Sequence, residues 1–289
     1  MRILFLLIIF CFFGKIQAQQ EPQFTMYWNN YSLYNPAVSG LFNKHLGVIS
    51  GRNQWVEFPG NPKTAIALYD LKLNLIHGGL GINYIYDQLG VEKSNRINLN
   101  YAFHLSLNES RVLSFGISGG IHSMTIDGSR FIAIDDPAND PAIPKGEVTE
   151  TKFNSNFGLF YKTNHWKIGL STTQLNKPVF KELNINKVRN YWLSCAYKYD
   201  IGQTFDIQPG ILVKADLAST QVDFNTLLRY KKWYWMGLTY RINDALAFME
   251  GVDIKGRYRV GYSYDYTISS LASHSKGSHE IILAVMLDK

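Results

Sequence analysis

Ser263, Asp265 and His279 have the residue types of a nucleophile, an orienting carboxylate and a general base, and Glu280 stands beside the imidazole. If the stretches around 263 and 279 pair as a hairpin, the set could serve a hydrolase, provided the imidazole reaches the serine hydroxyl within hydrogen-bonding distance. Neighbouring positions on paired strands do not by themselves supply that contact. His45, His77, His104, His122, His165 and His274 lie far apart, with no His-Glu-x-x-His, no paired cysteine ligands and no Gly-x-Ser-x-Gly elbow. The residues therefore predict no enzyme, no metal and no cofactor. Asp135, Asp136 and Asp140 among Pro137, Pro141 and Pro144 could gather calcium, but an EF-hand's glycine spacing and terminal Glu are missing. A solvated, proline-stiffened loop is the simpler reading.

Arg52-Asn53-Gln54-Trp55 offers a different chemistry. A planar guanidinium and two amides could grip a partner's extended backbone, with Trp55 as apolar anchor. The same side chains could instead pin their own loop, because Asn and Gln satisfy irregular backbone well.

The elements that would carry these residues are strands. From Arg96 to Leu107, Ile97, Leu99, Tyr101, Phe103, Leu105 and Leu107 alternate with Arg96, Asn98, Asn100, Ala102, His104 and Ser106. Successive strand side chains point to opposite faces, so this stretch can divide lipid from a wet interior. A tilted strand needs about 9–11 residues to cross the hydrocarbon layer. Fourteen such stretches follow one another, near 45–52, 64–72, 78–86, 95–107, 111–122, 152–163, 165–173, 188–200, 204–215, 219–230, 233–241, 246–254, 257–267 and 278–288. In 257–267, Tyr258, Val260, Tyr262, Tyr264 and Tyr266 oppose Arg257, Arg259, Gly261, Ser263 and Asp265; in 219–230, Phe224 and Leu228 oppose Asp223, Asn225 and Arg229. Polar rows of this length are expected to line a watery lumen. Pro209 costs a ladder donor and marks a candidate bulge.

The connections sort by parity. Even ones are tight: 73–77, 108–110, Asn164, 201–203, Lys231-Lys232 and Lys255-Gly256. Odd ones, 53–63, 87–94, 123–151, 174–187, 216–218, 242–245 and 268–277, are mostly longer. Outer-membrane barrels have short periplasmic turns and long extracellular loops, and closure removes the unpaired edges that lipid cannot satisfy. The pattern predicts an all-β transmembrane antiparallel barrel of about fourteen strands over 45–289, in the outer membrane, with both termini periplasmic. Residues 19–44, with an Asn35-Pro36 turn and no clean period, read as a periplasmic N-terminal segment that can fold into the lumen as a plug, or as an ordered tail on the first strand.

Residues 1–18 read as a signal peptide: Arg2, an apolar run from Ile3 to Phe13, and a small-residue exit at Ala18. Cys11 lies inside that run behind bulky Phe10, a poor site for lipidation, and Cys195 alone cannot form an internal disulfide. Without Arg2 and Lys15 the 29 basic residues become 27, against 23 acidic ones, with no basic block of the kind that grips nucleic acid. The 18 Tyr, 17 Phe and 6 Trp suit a membrane interface, and Trp166, Trp233 and Trp235 are expected to form an interfacial belt.

Three stretches resemble one known family, the PorP/SprF outer-membrane proteins of the type IX secretion system. Gln20-Glu21-Pro22-Gln23-Phe24-Thr25 with Tyr34-Asn35-Pro36-Ala37-Val38-Ser39-Gly40 is similar to the family's opening, although Glu21 replaces the commoner Asp. Arg52-Asn53-Gln54-Trp55 with Gly60-Asn61-Pro62-Lys63-Thr64 resembles the pair around its first extracellular loop. Gly261-Tyr262-Ser263-Tyr264-Asp265 with Gly277-Ser278-His279-Glu280-Ile281 is similar to the pattern bracketing its last loop, and Gly79-Leu80-Gly81 also fits. The chain ends Val285-Met286-Leu287-Asp288-Lys289 rather than on an aromatic residue.

The resemblance implies a barrel that helps secrete cargo, or retains it at the surface by its C-terminal sorting domain, in the setting of secretion and gliding motility in Bacteroidota. Other type IX components would be its partners. Gln23, Phe24, Asn35, Pro36, Arg52, Asn53, Gln54, Trp55, Lys63, Tyr264, Asp265, His279 and Glu280 are the candidate partner-binding or plug residues. A porin or lipophilic-solute channel is the alternative, suggested by the polar interior and by the Asn-Pro-Ala turn, which is loosely similar to the plug of fatty-acid channels.

Overall fold

A computed structural model describes residues 21–130, 146–216 and 218–287. The period-2 stretches become β1 (His45–Asn53), β2 (Lys63–Leu73), β3 (Gly78–Leu89), β4 (Glu92–Asn108), β5 (Arg111–Asp127), β6 (Glu147–Lys162) and β7 (Trp166–Thr173). A small hairpin, β8 (Val179–Phe180) and β9 (Ile185–Asn186), follows in the next connection. The wall resumes with β10 (Asn190–Tyr197), β11 (Tyr199–Ile201), β12 (Phe205–Ala215), β13 (Thr220–Tyr230), β14 (Tyr234–Arg241), β15 (Ala245–Ile254), β16 (Tyr258–Thr267) and β17 (Ser278–Leu287).

Each wall strand pairs antiparallel with its neighbours in chain order, β10 pairs with β12, and β1 closes on β17 from His45↔Leu287 to Asn53↔His279. Because β11 continues β10 in the same register, the 15-stranded sheet is a closed barrel of fourteen staves. Pro209 accounts for the interruption. The β10 ladder ends at Ala196↔Gly210 and resumes at Tyr199↔Ile207, and Pro209, which has no N–H to donate, falls in the interval. It makes no bulge, since β12 and β13 stay in register throughout; the described register shift lies instead between Ser106 and Asn108.

The outward rows meet lipid as the alternation requires. Leu99 is 63% exposed and Ile117 59%, whereas Asn98 and Asn100 on the inner face are each 3% exposed. Trp166 and Trp233 stand half-exposed beside short turns, but Trp235 faces the lumen and is buried, edge-on to Trp28 at 6.1 Å. Trp233 sits in the turn, where the strand's alternation does not bind it; Trp235 lies inside β14, on its inner face.

Two long connections are shorter than the sequence suggested. The β3–β4 ladder runs on to Leu89↔Glu92 and the β5–β6 ladder to Asp127↔Glu147. At 17 residues each, β4 and β5 exceed the about 9–11 needed to cross, so these hairpins stand out of the membrane. Residues 1–18, with Cys11, and Asp135, Asp136 and Asp140 lie outside the described residues.

The lumen is not a water channel lined by polar rows. It holds residues 21–44, which form short helical turns at Tyr27–Asn29, Tyr31–Tyr34 and Pro36–Val38. Thr25, Met26, Asn30, Ala37 and Ser39 are wholly buried. Glu21 lies where the odd-numbered loops leave the wall, held by Arg96 and Gln174, and the chain emerges at the even-numbered turns, where the Lys44 carbonyl accepts from the Lys72 N–H. We call these ends the loop mouth and the turn mouth. The segment is a plug threaded along the whole bore rather than a tail. Glu21 is at the loop mouth and Leu287, paired with His45, at the turn mouth, so the described residues begin and end at opposite mouths.

Candidate functional site at the loop mouth

Alternation sends every second residue of a motif inward. In β16 and β17, Asp265 and Glu280 point into the lumen and Tyr264 and His279 point out. On β1 the inward residue near the loop end is Arg52. These three meet on Thr25 of the threaded segment. Asp265 accepts from the Thr25 hydroxyl at 2.8 Å and from Arg52 Nη2 at 2.7 Å. Glu280 accepts from the Thr25 N–H at 2.7 Å, the Met26 N–H at 3.3 Å and Arg52 Nη1 at 3.3 Å.

Arg241, which the sequence reading missed, completes the cluster. Its guanidinium donates to Asp265 at 3.0 Å, Asp223 at 3.1 Å, Asp244 at 3.4 Å and the Thr25 hydroxyl at 3.4 Å. The side chains of Arg52, Arg241, Asp223 and Asp265 are 1% exposed and that of Glu280 is 0% exposed. Charges buried this deeply persist only when paired and hydrogen-bonded, and here two guanidinium groups stand against three fully buried carboxylates and the partly buried Asp244. Arg241 and Asp223 look like ordinary inner-face residues of their strands; only the polar alternation at a strand's loop end could have drawn attention to them.

The remaining predicted residues fall into three groups. Gln23 and Phe24 are buried in the segment, with Phe24 in the apolar core. Asn35 caps its turn by accepting from the Ala37 N–H at 3.1 Å while donating to the Leu159 carbonyl at 3.0 Å, and Pro36 follows it. Deeper in the bore, the segment approaches glycines. A Cβ at Gly116 would lie 2.1 Å from the Ala37 nitrogen, and one at Gly79 would lie 2.2 Å from the Ser39 carbonyl oxygen. Only a residue without a side chain leaves room there, which explains the first glycine of Gly79-Leu80-Gly81.

Asn53, Gln54 and Trp55 tie down the first loop. Asn61 donates to the Asn53 side chain and to the Gln54 carbonyl at 2.7 Å, and the Trp55 N–H donates to Ser278 Oγ at 3.1 Å. The Val56 N–H donates to the Gly277 carbonyl at 2.8 Å and the Lys276 N–H to the Val56 carbonyl at 2.9 Å, so the first and last loops are stitched into one rim. Lys63 is exposed at the start of β2. Outside the wall, the Tyr264 hydroxyl donates to the Lys276 carbonyl at 3.1 Å and Tyr262 meets His279 Nδ1 at 2.7 Å. Ser263 lies on the inner face opposite Glu280 in register, whereas His279 is on the outer face opposite Tyr264. The imagined Ser263, His279 and Asp265 triad therefore cannot assemble.

Three separate stretches of sequence thus converge on one buried charge cluster. The sequence profile of the family described as type IX secretion system membrane protein PorP/SprF matches residues 16–285. This chain belongs to the PorP/SprF family. No curated protein matches it. Among solved structures, this PorP/SprF barrel is similar to the CymD monoaromatic hydrocarbon channel, at 10% identity, TM-score 0.52, over 89% of this chain and 91% of that one. It is also similar to the toluene transporter TodX of P. putida, at 8% identity, TM-score 0.50, over 90% and 94%, and to the Acinetobacter baumannii outer membrane protein Omp33, at 9% identity, TM-score 0.47, over 86% and 100%. At these identities the likeness is one of fold. The PorP/SprF member described here is an outer-membrane β-barrel.

Proposed function

We propose that this barrel serves type IX secretion by holding a secreted protein at the cell surface, receiving the cargo's C-terminal sorting domain on the loop mouth. The observation that carries the reading is the filled bore. Residues 21–44 run from one mouth to the other and are bonded to the wall at both, which leaves the rim built from the loops as the working surface. Arg52, Asp265 and Glu280 then act beneath that surface, fixing the plug and the two stitched loops above it. In this reading the barrel does no covalent chemistry, the loop mouth faces outward and the turns face the periplasm and the other secretion components, as loop lengths in outer-membrane barrels lead one to expect.

Deletion of the gene is expected to remove one cargo from the surface, and that cargo is expected to co-purify with the barrel from detergent-solubilised outer membrane. Normal surface display in the deletion strain overturns the reading. Steady conductance or solute uptake by the purified wild-type barrel in planar bilayers would favour a channel, the role of the hydrocarbon channel CymD and the toluene transporter TodX.

A further inference from the structure

The six short turns carry an unbalanced charge. Lys72, Arg111, Lys231, Lys232, Lys255 and Arg257 are all exposed at the turn mouth, and none forms an ion pair among the described residues. The exposed carboxylates described on these turns are Glu109 and Asp200, and Lys198 already holds Asp200 at 2.6 Å. At the loop mouth Lys276 stands on Glu57 and Lys152 on Glu150, each pair at 2.7 Å, while Lys63, Lys177 and Lys181 form no ion pair among the described residues.

Backbone geometry sharpens the point. Lys231 and Lys232 both have positive φ, 47° and 61°, and so do Lys255 and Gly256, at 53° and 63°. Two-residue turns of this kind favour Asn and Gly, because other side chains crowd the backbone there. Lysine occupies three of these four positions against that preference.

Some of the cations also keep a fixed relation to the lipid boundary. Lys232 precedes half-exposed Trp233 and Arg257 precedes half-exposed Tyr258, while Lys72, on the inner row of β2 with Asp70, stands at the rim of the bore. Aromatic and apolar groups at this height sit in the headgroup layer. The cations are spread around the circumference rather than gathered into a patch, and the turns are too short to carry them away from the membrane. An anionic surface attracts each nearby Lys or Arg, and the attraction fades within a Debye length, so close placement matters.

We propose that this ring binds the phosphate groups of anionic phospholipids in the leaflet at the turn mouth, fixing the depth of the barrel and surrounding it with an acidic annulus. The test uses the full mature chain in nanodiscs of phosphatidylglycerol and phosphatidylcholine in equal amounts, with the lipids retained on release read by native mass spectrometry. The wild-type protein is expected to keep phosphatidylglycerol several-fold above its share. A variant with Lys72→Gln, Arg111→Gln, Lys231→Asn, Lys232→Asn, Lys255→Asn and Arg257→Gln is expected to fall to the bulk ratio, with barrel folding verified by its mobility shift on heating. Lys177→Gln with Lys181→Gln, exposed at the loop mouth, should leave the enrichment unchanged. Retention in proportion to the mixture by the wild type, or an equal fall in the loop-mouth variant, overturns the proposal. So does an unchanged lipid ratio in the ring variant accompanied by loss of a co-purifying acidic periplasmic protein.

Discussion

The two halves of the bore hold one segment by different means. Toward the loop mouth the grip is charge: Thr25 lies among Arg52, Arg241, Asp265 and Glu280, and Glu21 reaches Arg96 at 2.7 Å. Toward the turn mouth it is mostly shape, with Ala37 and Ser39 pressing on Gly116 and Gly79, joined by the Lys162 ammonium, which donates to the Leu41 carbonyl at 3.2 Å. The contrast teaches where the plug can give way. A buried ion cluster fails when one member is lost, because the partner left behind stays charged in a poor dielectric. A close-packed seat fails by degrees.

The largest effect should follow Arg52→Met, which leaves Asp265 and Glu280 with one guanidinium fewer. A loss of about 3–5 kcal/mol is expected, read as an earlier urea midpoint in micelles together with new conductance in planar bilayers as the upper segment comes free. Gly116→Ala comes next, at about 2–3 kcal/mol, because a methyl group must displace the Ala37 backbone. Here hydrogen exchange should rise at residues 35–39 while protection of Thr25 holds. Equal exchange along the whole segment in both variants would break the division into halves.

Thr25→Val keeps the shape and removes the hydroxyl shared by Asp265 and the two arginines, for a loss of about 1.5 kcal/mol by the same urea measurement. Tyr27→Phe removes only the acceptor for the Asn225 amide and should cost about 1 kcal/mol. The smallest effect on stability is expected from shortening the exposed turn at Ser270–His274, which should leave the urea midpoint in place while cargo display falls. A drop in midpoint equal to that of Arg52→Met would mean that the rim and the plug cannot be separated.

Much of the wall was legible because period 2 is a local property. Ile97 to Leu107 and Tyr258 to Tyr266 declare their lipid face within a dozen residues, and the parity of the connections exposes the two mouths. The cluster was legible only in part. Arg52, Asp265 and Glu280 stood in motifs, but what joins them is Thr25, separated by 240 positions from Asp265, and no spacing rule spans that distance. The even alternation of polar residues also hid the filling of the bore, since Asn83 and Asn100 would look alike facing water or the Ser32 carbonyl. Trp235 was misjudged through its neighbour Trp233, which sits one residue short of the strand.

The seam adds a consequence for assembly. Thr25 and Met26 bind Glu280 of β17, and the same chain leads directly into β1, so one short tether touches both staves that must zip together last. A sheet curling around such a tether has its circumference set from within, as a sleeve takes the girth of the mandrel on which it is rolled. Nascent chains lacking the segment should therefore stall with the cylinder still ajar.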